Sequence, residues 1–265
     1  MSRLVKRVVG ELLPAVSGRR SVELKDASTR LPAVFENPST QHHSVPLKTI
    51  AAGCFFVFVV LALMNWHRTI PIGLDRTVAT KIAASGHGFG FKLGEAISSI
   101  GSPVGGAIVA LVVAAMIWWL FRDVITAAAV VVAPAIAGTL QVVAKAIIQR
   151  PRPTTGVLTG EVGYGFPSGH TSGFAALAAI VSMLVLARVL PTRRPALVVG
   201  LVSVSAVAVG ASRLMVGAHY LTDVIAGSVF GIAIAAAVAV FTLSSNARAR
   251  ISHRFPFVGA AIRPR

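Results

Sequence analysis

The chain has 265 residues, of which 55% are hydrophobic and only 13% charged. So few charges cannot cover the surface of a soluble domain, where about a quarter of residues carry charge, and a mean hydropathy of +0.77 excludes a disordered or collagen-like chain. A net charge of +16 would suggest nucleic acid in a soluble protein; in a chain this apolar it reads as basic residues kept in the cytoplasm against anionic lipid headgroups, with no nucleic-acid partner.

Residues 1–47 are polar and basic, with Arg3, Lys6, Arg7, Arg19, Arg20, Lys25 and Arg30 among turn formers. They read as a cytoplasmic tail, mostly disordered, with a short helix near 4–13. They do not read as a signal peptide, because the first apolar run starts only near Ile50. Six apolar runs follow, at approximately 47–66, 103–121, 124–148, 171–190, 196–211 and 220–243. A helix of about 20 residues crosses some 30 Å of hydrocarbon. Continuous alanine-rich runs lack the alternation of a barrel strand. The expectation is an all-α polytopic membrane protein, a six-transmembrane-helix bundle over 48–245, with basic cytoplasmic tails at 1–47 and 246–265. The fifth run is short unless it continues into 212–217. Pro134 falls midway along the third and predicts a kink there. The segment 67–101 is expected to include a short amphipathic helix lying on the outer interface. Arg122, Arg188, Arg193 and Arg194 lie in the two short loops on the tail side, which places both termini in the cytoplasm. Cys54, the single cysteine, sits in an apolar run and forms no intramolecular disulfide.

Three polar clusters then fall at the outer ends of the spans. Lys145 and Arg150-Pro151-Arg152-Pro153 close the third run, Phe166-Pro167-Ser168-Gly169-His170 opens the fourth, and Ser212-Arg213, His219 and Asp223 bridge the fifth and sixth. Lys145, Arg152 and Arg213 are cations at a membrane boundary, where grouping them is costly unless an anion completes the site. The planar fork of Arg suits phosphate oxygens. Pro167-Ser168-Gly169 stands at a helix start, where Gly169 lets the backbone approach an anion and Ser168 caps or donates. His219 and Asp223 at i, i+4 share one helix face, so Asp223 can fix the tautomer and leave the other ring nitrogen with its lone pair outward. His170, from another helix, is placed to protonate a leaving oxygen.

These motifs resemble the type 2 phosphatidic acid phosphatase superfamily, the membrane lipid phosphatases related to vanadium haloperoxidases. The signature K-x6-R-P, P-S-G-H and S-R-x5-H-x3-D is filled by Lys145-x6-Arg152-Pro153, by Pro167-Ser168-Gly169-His170, and by Ser212-Arg213-x5-His219-x3-Asp223. The resemblance implies that His219 attacks phosphorus to form a phosphohistidine, that Asp223 orients it, and that His170 protonates the leaving group and then activates water. It implies that Lys145, Arg152, Ser168, Gly169 and Arg213 hold the phosphoryl oxygens, with no metal and no cofactor. The implied function is hydrolysis of a lipid phosphate or diphosphate at the extracytoplasmic face of the cell membrane. Polyprenyl diphosphate, phosphatidylglycerophosphate and phosphatidic acid all remain open as substrates. A lipid phosphotransferase using the same intermediate, and a non-enzymatic lipid transporter, are the rivals. The oligomeric state is left open.

Outside the signature, Arg150 is expected to steer substrate, and the role of Ser212 is not separable from helix-end hydrogen bonding. His42, His43, His67, His87 and His253 are tail or loop residues. Trp66, Trp118 and Trp119 read as interfacial or lipid-facing anchors, and Glu161 as a solvated loop charge.

Overall fold

The computed structural model describes residues 39–67, 72–86, 88–154 and 163–244. The readings made for most of the N-terminal tail, for the C-terminal tail, for His87 and for Glu161 lie outside the described residues. Beyond Ser39, the described residues fall within one compact unit, Thr40–Arg265.

The described residues form eight helices and no strand: α1 Ser39–Asn65, α2 Gly73–Ser85, α3 Phe89–Gly101, α4 Pro103–Phe121, α5 Val124–Ile148, α6 Gly169–Leu186, α7 Pro195–Met215 and α8 Leu221–Leu243. Six of them (α1 from Pro46, α4, α5, α6, α7 and α8) are long and apolar enough to cross a membrane. The all-α, six-span expectation holds, and the protein is a multi-pass membrane protein. The boundaries differ in three places. Helix α1 begins at Ser39, inside the stretch read as tail, and α6 stops at Leu186 rather than near 190. Helix α7 runs on to Met215, which gives the fifth span its full length. The segment expected to include a short helix holds two, because Gly86 ends α2 at a φ of 56° and Gly88 caps α3. Pro134 lies inside α5, which continues through it to Ile148.

Short connections begin with strong start signals. Ser102 accepts from the Gly105 N–H and Pro103 follows it at the first helical position of α4. Asp123 caps α5 by accepting from both the Thr126 N–H and its hydroxyl, at 3.0 and 2.6 Å. The two-residue turn here leaves α4 and α5 antiparallel neighbours.

Helix α6 is the centre of the bundle, packed by α8, α5 and α7. Its contact with α8 is backbone-close. A Cβ on Gly227 would lie 2.7 Å from the Ser168 carbonyl oxygen, and one on Gly231 would strike the Ser172 carbonyl. Ala235 and Ala239, both fully buried, continue the same stripe at four-residue spacing. In lipid, where apolar side chains gain little by meeting, small residues that let backbones approach supply the packing energy. The buried core is accordingly rich in Ala and Val: Ala133, Ala137, Ala176, Val130 and Ile180 are at 0% exposure. Large apolar residues point outward instead, as Trp119 and Val207 do. Trp66, Trp118 and Trp119 are all exposed, as anchors require, and the Arg122 guanidinium lies 5.4 Å over the Trp118 ring.

Candidate active site

The three polar clusters meet at one end of the bundle. Lys145, in the last turn of α5, donates from Nζ to the carbonyls of Tyr164 and Gly165 at 2.8 and 3.3 Å. The chain entering α6 is pinned to the start of α8, where the Ser168 N–H donates to the Asp223 carbonyl at 3.0 Å. Ser168 is the N-cap of α6, yet its side chain makes no capping bond; its Oγ accepts from the Thr171 hydroxyl at 3.0 Å. The first turn of α6 therefore starts at Gly169 without a capping side chain, which is the arrangement that suits an anion.

A cavity of about 440 Å³ opens against this turn. Lys145, Arg152, Gly169, His170 and His219 line its polar end, and Gly106, Ala110, Val131, Gly138 and Leu177 are among the residues that carry it down between α4, α5 and α6. Among the described residues no carboxylate lines it. Of the eight site residues read from the sequence, five face this space. Ser168, Arg213 and Asp223 are buried behind it. Arg213 donates from Nη1 to the Ser98 hydroxyl of α3. The Ser212 hydroxyl donates to the Val209 carbonyl at 2.7 Å, so its bond is a helix-end one.

His219 sits in the turn between α7 and α8 at 4% exposure. Arg152 donates from Nη1 to the Ala218 carbonyl at 2.9 Å and lies 3.2 Å from His219 Nε2. A guanidinium has no acceptor, so Nε2 must present its lone pair and the ring proton sits on Nδ1. Nδ1 faces Asp223 Oδ2 at 3.5 Å, which is long for a hydrogen bond, so the carboxylate acts here chiefly as a charge. Burial pushes the His219 pKa down to about 4, with Asp223 opposing and Lys145 and Arg152 reinforcing the shift. The imidazole is neutral at pH 7, which is the state a nucleophile needs.

The structure overturns the expectation for Arg150. It is 1% exposed and cannot steer an approaching substrate. Its Nη1 contacts Asp223 Oδ1 at 2.5 Å and the Thr222 hydroxyl at 2.7 Å, and its Nη2 contacts Asp75 Oδ2 at 2.7 Å. Asp75, on α2 and fully buried, also accepts from the Thr222 N–H and hydroxyl. Neither Asp75 nor Thr222 was read from the sequence as part of the site. Gln141, one turn before Lys145, was also missed. It lines the cavity against Gly169, and its Oε1 is buried with no hydrogen-bond partner among the described residues.

The site is thus a cation-walled cavity at an uncapped helix start, with a neutral histidine on its wall, inside an integral membrane helix bundle. Comparison with known proteins agrees with the motifs. Residues 126–247 match the PAP2 superfamily, in line with the resemblance read from the sequence. The chain is 35% identical over 95 residues to phosphatidylglycerophosphatase B of Bacillus subtilis (strain 168), a match covering 35% of this chain and 46% of that protein. The aligned part thus spans about half the length of that relative. The fold is similar, with a TM-score of 0.64 and 22% identity, to the crystal structure of a transmembrane PAP2-type phosphatidylglycerolphosphate phosphatase from Bacillus subtilis, covering 71% of this chain and 93% of that one.

Proposed function

We propose that the protein is an integral membrane phosphatase that hydrolyses a lipid phosphate through a phosphohistidine. The observation that carries this reading is His219, neutral, its Nε2 lone pair held at Arg152 on the wall of a cavity that runs from the polar end down between apolar helices. In the proposed reaction the phosphoryl oxygens draw Arg152 and Lys145 onto themselves and free Nε2. Nε2 then attacks phosphorus as the bond to the lipid oxygen breaks, and His170 gives that oxygen a proton. Water next attacks the phosphohistidine while His170 takes its proton back, the P–N bond breaks, and inorganic phosphate leaves. Lys145, Arg152 and the Gly169 N–H, on the cavity wall, stabilise the charge that develops on the phosphoryl oxygens, and Arg213 adds its charge from behind the wall while Ser168 holds the start of α6 in place. The apolar walls favour a substrate whose chains stay in hydrocarbon. The named relatives favour phosphatidylglycerophosphate over phosphatidic acid or a polyprenyl diphosphate.

Arginine placement supports both termini in the cytoplasm and the cavity at the extracytoplasmic end, with 48–245 as the catalytic domain between two basic tails. In a Cys54→Ser background, an impermeant thiol reagent added outside cells labels Thr154→Cys and not Thr192→Cys; the reverse pattern moves the site to the cytoplasmic leaflet. The activity is tested by phosphate release from the three lipid phosphates in detergent containing excess EDTA. Release from phosphatidylglycerophosphate, lost in His219→Ala, supports the reading. Transfer to an added lipid with no free phosphate makes the protein a phosphotransferase. A requirement for a divalent ion counts against the mechanism.

A further inference from the structure

Among the described residues, a buried network of charged groups lies behind the cavity rather than in it. Two carboxylates, Asp75 and Asp223, both at 0% exposure, flank one guanidinium at 1%. Thr222 bridges Arg150 and Asp75: its hydroxyl accepts from Arg150 Nη1 and donates to Asp75 Oδ2, each at 2.7 Å, and its N–H donates to Asp75 Oδ1 at 3.0 Å. The Arg150 guanidinium also stacks 4.4 Å over the Tyr220 ring, and the Tyr220 N–H holds Asp223 Oδ2 at 2.9 Å. Burying three ions costs several kcal/mol each before pairing. A network this fully satisfied fixes its members in one geometry.

These contacts also set the local charge. Arg150 alone beside Asp223 would cancel the field that Asp223 exerts on His219. Asp75 on the far side of the guanidinium offsets Arg150, so the set Asp75, Arg150 and Asp223 keeps one net negative charge next to the imidazole.

We infer that Asp75 and Arg150 are positioning residues for the phosphoryl-transfer site, clamping Asp223 against His219 and setting the charge it presents there. The inference rests on the proposed role of His219. It also accounts for the placement of α2. Asp75 ties this outer helix to the first turn of α8, so the carboxylate of a segment distant in sequence tunes the basicity of the nucleophile. His219 is otherwise faced by Lys145 of α5, by Arg152 and by His170 of α6. Arg213 of α7 stands behind the cavity, and Tyr220 and Arg76 stand by Asp75. None of these is altered in the test.

The test reads His219 directly. Protein labelled at histidine Cε1 is titrated by NMR in detergent, with the His219 signal assigned by its loss in His219→Ala. Arg150→Gln leaves two carboxylates and raises the His219 pKa by roughly one unit or more. Asp75→Asn with Arg150→Gln restores one net negative charge and returns it to within about half a unit of wild type. A residue serving only to hold the fold would not produce that return. If Arg150→Gln gives no folded protein, Asp75→Asn alone decides. It lowers kcat for p-nitrophenyl phosphate roughly tenfold or more with KM within about twofold, because the field at the nucleophile changes and the cavity does not. An unshifted His219 pKa in folded Arg150→Gln, or an unchanged kcat in Asp75→Asn, overturns the inference. Activity retained in His219→Ala instead overturns the reading beneath it.

Discussion

Replacing Asp223 by Asn removes one charge and almost no volume, and the surroundings of the carboxylate make its consequence specific. Every group that touches it is a donor: Arg150 Nη1 at 2.5 Å on Oδ1, and the Tyr220 N–H at 2.9 Å with His219 Nδ1 at 3.5 Å on Oδ2. An amide must turn its NH₂ toward one of these sets. The guanidinium contact is the shortest and carries charge, so the amide oxygen stays on Arg150 and the NH₂ faces Tyr220 and His219. An NH₂ beside Nδ1 is satisfied only if Nδ1 gives up its proton, and the ring then carries it on Nε2. Nε2–H has no lone pair for phosphorus and confronts the Arg152 N–H group. The wrong tautomer in a histidine–carboxylate pair lowers kcat by about 10⁴ where the geometry is otherwise kept, which is about 5 kcal/mol of barrier. Asp223→Asn should therefore lose about 10³–10⁴ in kcat with a small change in KM. The weakened bond to Arg150 and the lost bond to Tyr220 should lower folding stability by about 2–4 kcal/mol. The assay is phosphate release from p-nitrophenyl phosphate and from phosphatidylglycerophosphate in micelles, on protein shown to be monodisperse. A folded Asp223→Asn protein within tenfold of wild-type kcat would falsify the tautomer argument.

Three further outcomes follow from other parts of the structure. His219→Ala should abolish turnover of every substrate, whereas His170→Ala should lose lipid hydrolysis by about 10²–10⁴ yet still form a phosphoenzyme from p-nitrophenyl phosphate, whose leaving group departs without a proton; the opposite pattern exchanges the two roles. The His219 pKa is depressed to about 4 from 6.5, so the unfolded chain binds the extra proton first. Stability from this group is then complete above about pH 6.5 and lost as pH falls toward 4, amounting to about 3 kcal/mol, and thermal unfolding of wild type and His219→Gln across pH 4–7 measures it as a loss confined to wild type. Gly231→Ala should destabilise by about 1–3 kcal/mol, because its Cβ meets the backbone of α6 at Ser172 and Ala176; Gly200→Ala, with nothing within 4 Å, serves as the neutral control, and equal melting temperatures for the two would refute the close contact.

The spans were legible because apolar runs of the right length have few alternatives in a chain this poor in charge. That Lys145, Arg152, Gly169, His170 and His219 would share one cavity was legible because they stand at fixed spacings in short motifs at the ends of the spans. What the motifs omit was not legible. Arg150 stands two residues from Arg152 in a run that looks uniformly basic, but the two point to different places: Arg152 to the cavity wall and Arg150 into the protein. Only the partner decides this, and Asp75 is 75 residues away on a helix with no motif of its own. The second outer helix had a signal in Gly86 and Gly88, which permit the break that separates α2 from α3. The stripe of Gly227, Gly231, Ala235 and Ala239 was likewise present in the sequence, yet its meaning depends on which helix lies opposite.

These contacts sort the cations of the site into two kinds. Arg150 has its charge met by two carboxylates inside the protein, so it needs no ligand and can serve as a fixed element. Lys145 and Arg152 stand on the cavity wall, where Lys145 donates to the Tyr164 and Gly165 carbonyls and Arg152 to the Ala218 carbonyl, so both cations face the space that the proposed substrate's phosphoryl group would enter. The same division keeps the Asp223 carboxylate off the cavity: its oxygens meet Arg150, the Tyr220 N–H and the back of the His219 ring, while Lys145, Arg152 and His170 line the cavity side. In the proposed reaction a phosphoryl group would therefore meet cations first, with the carboxylate acting as a charge behind the imidazole.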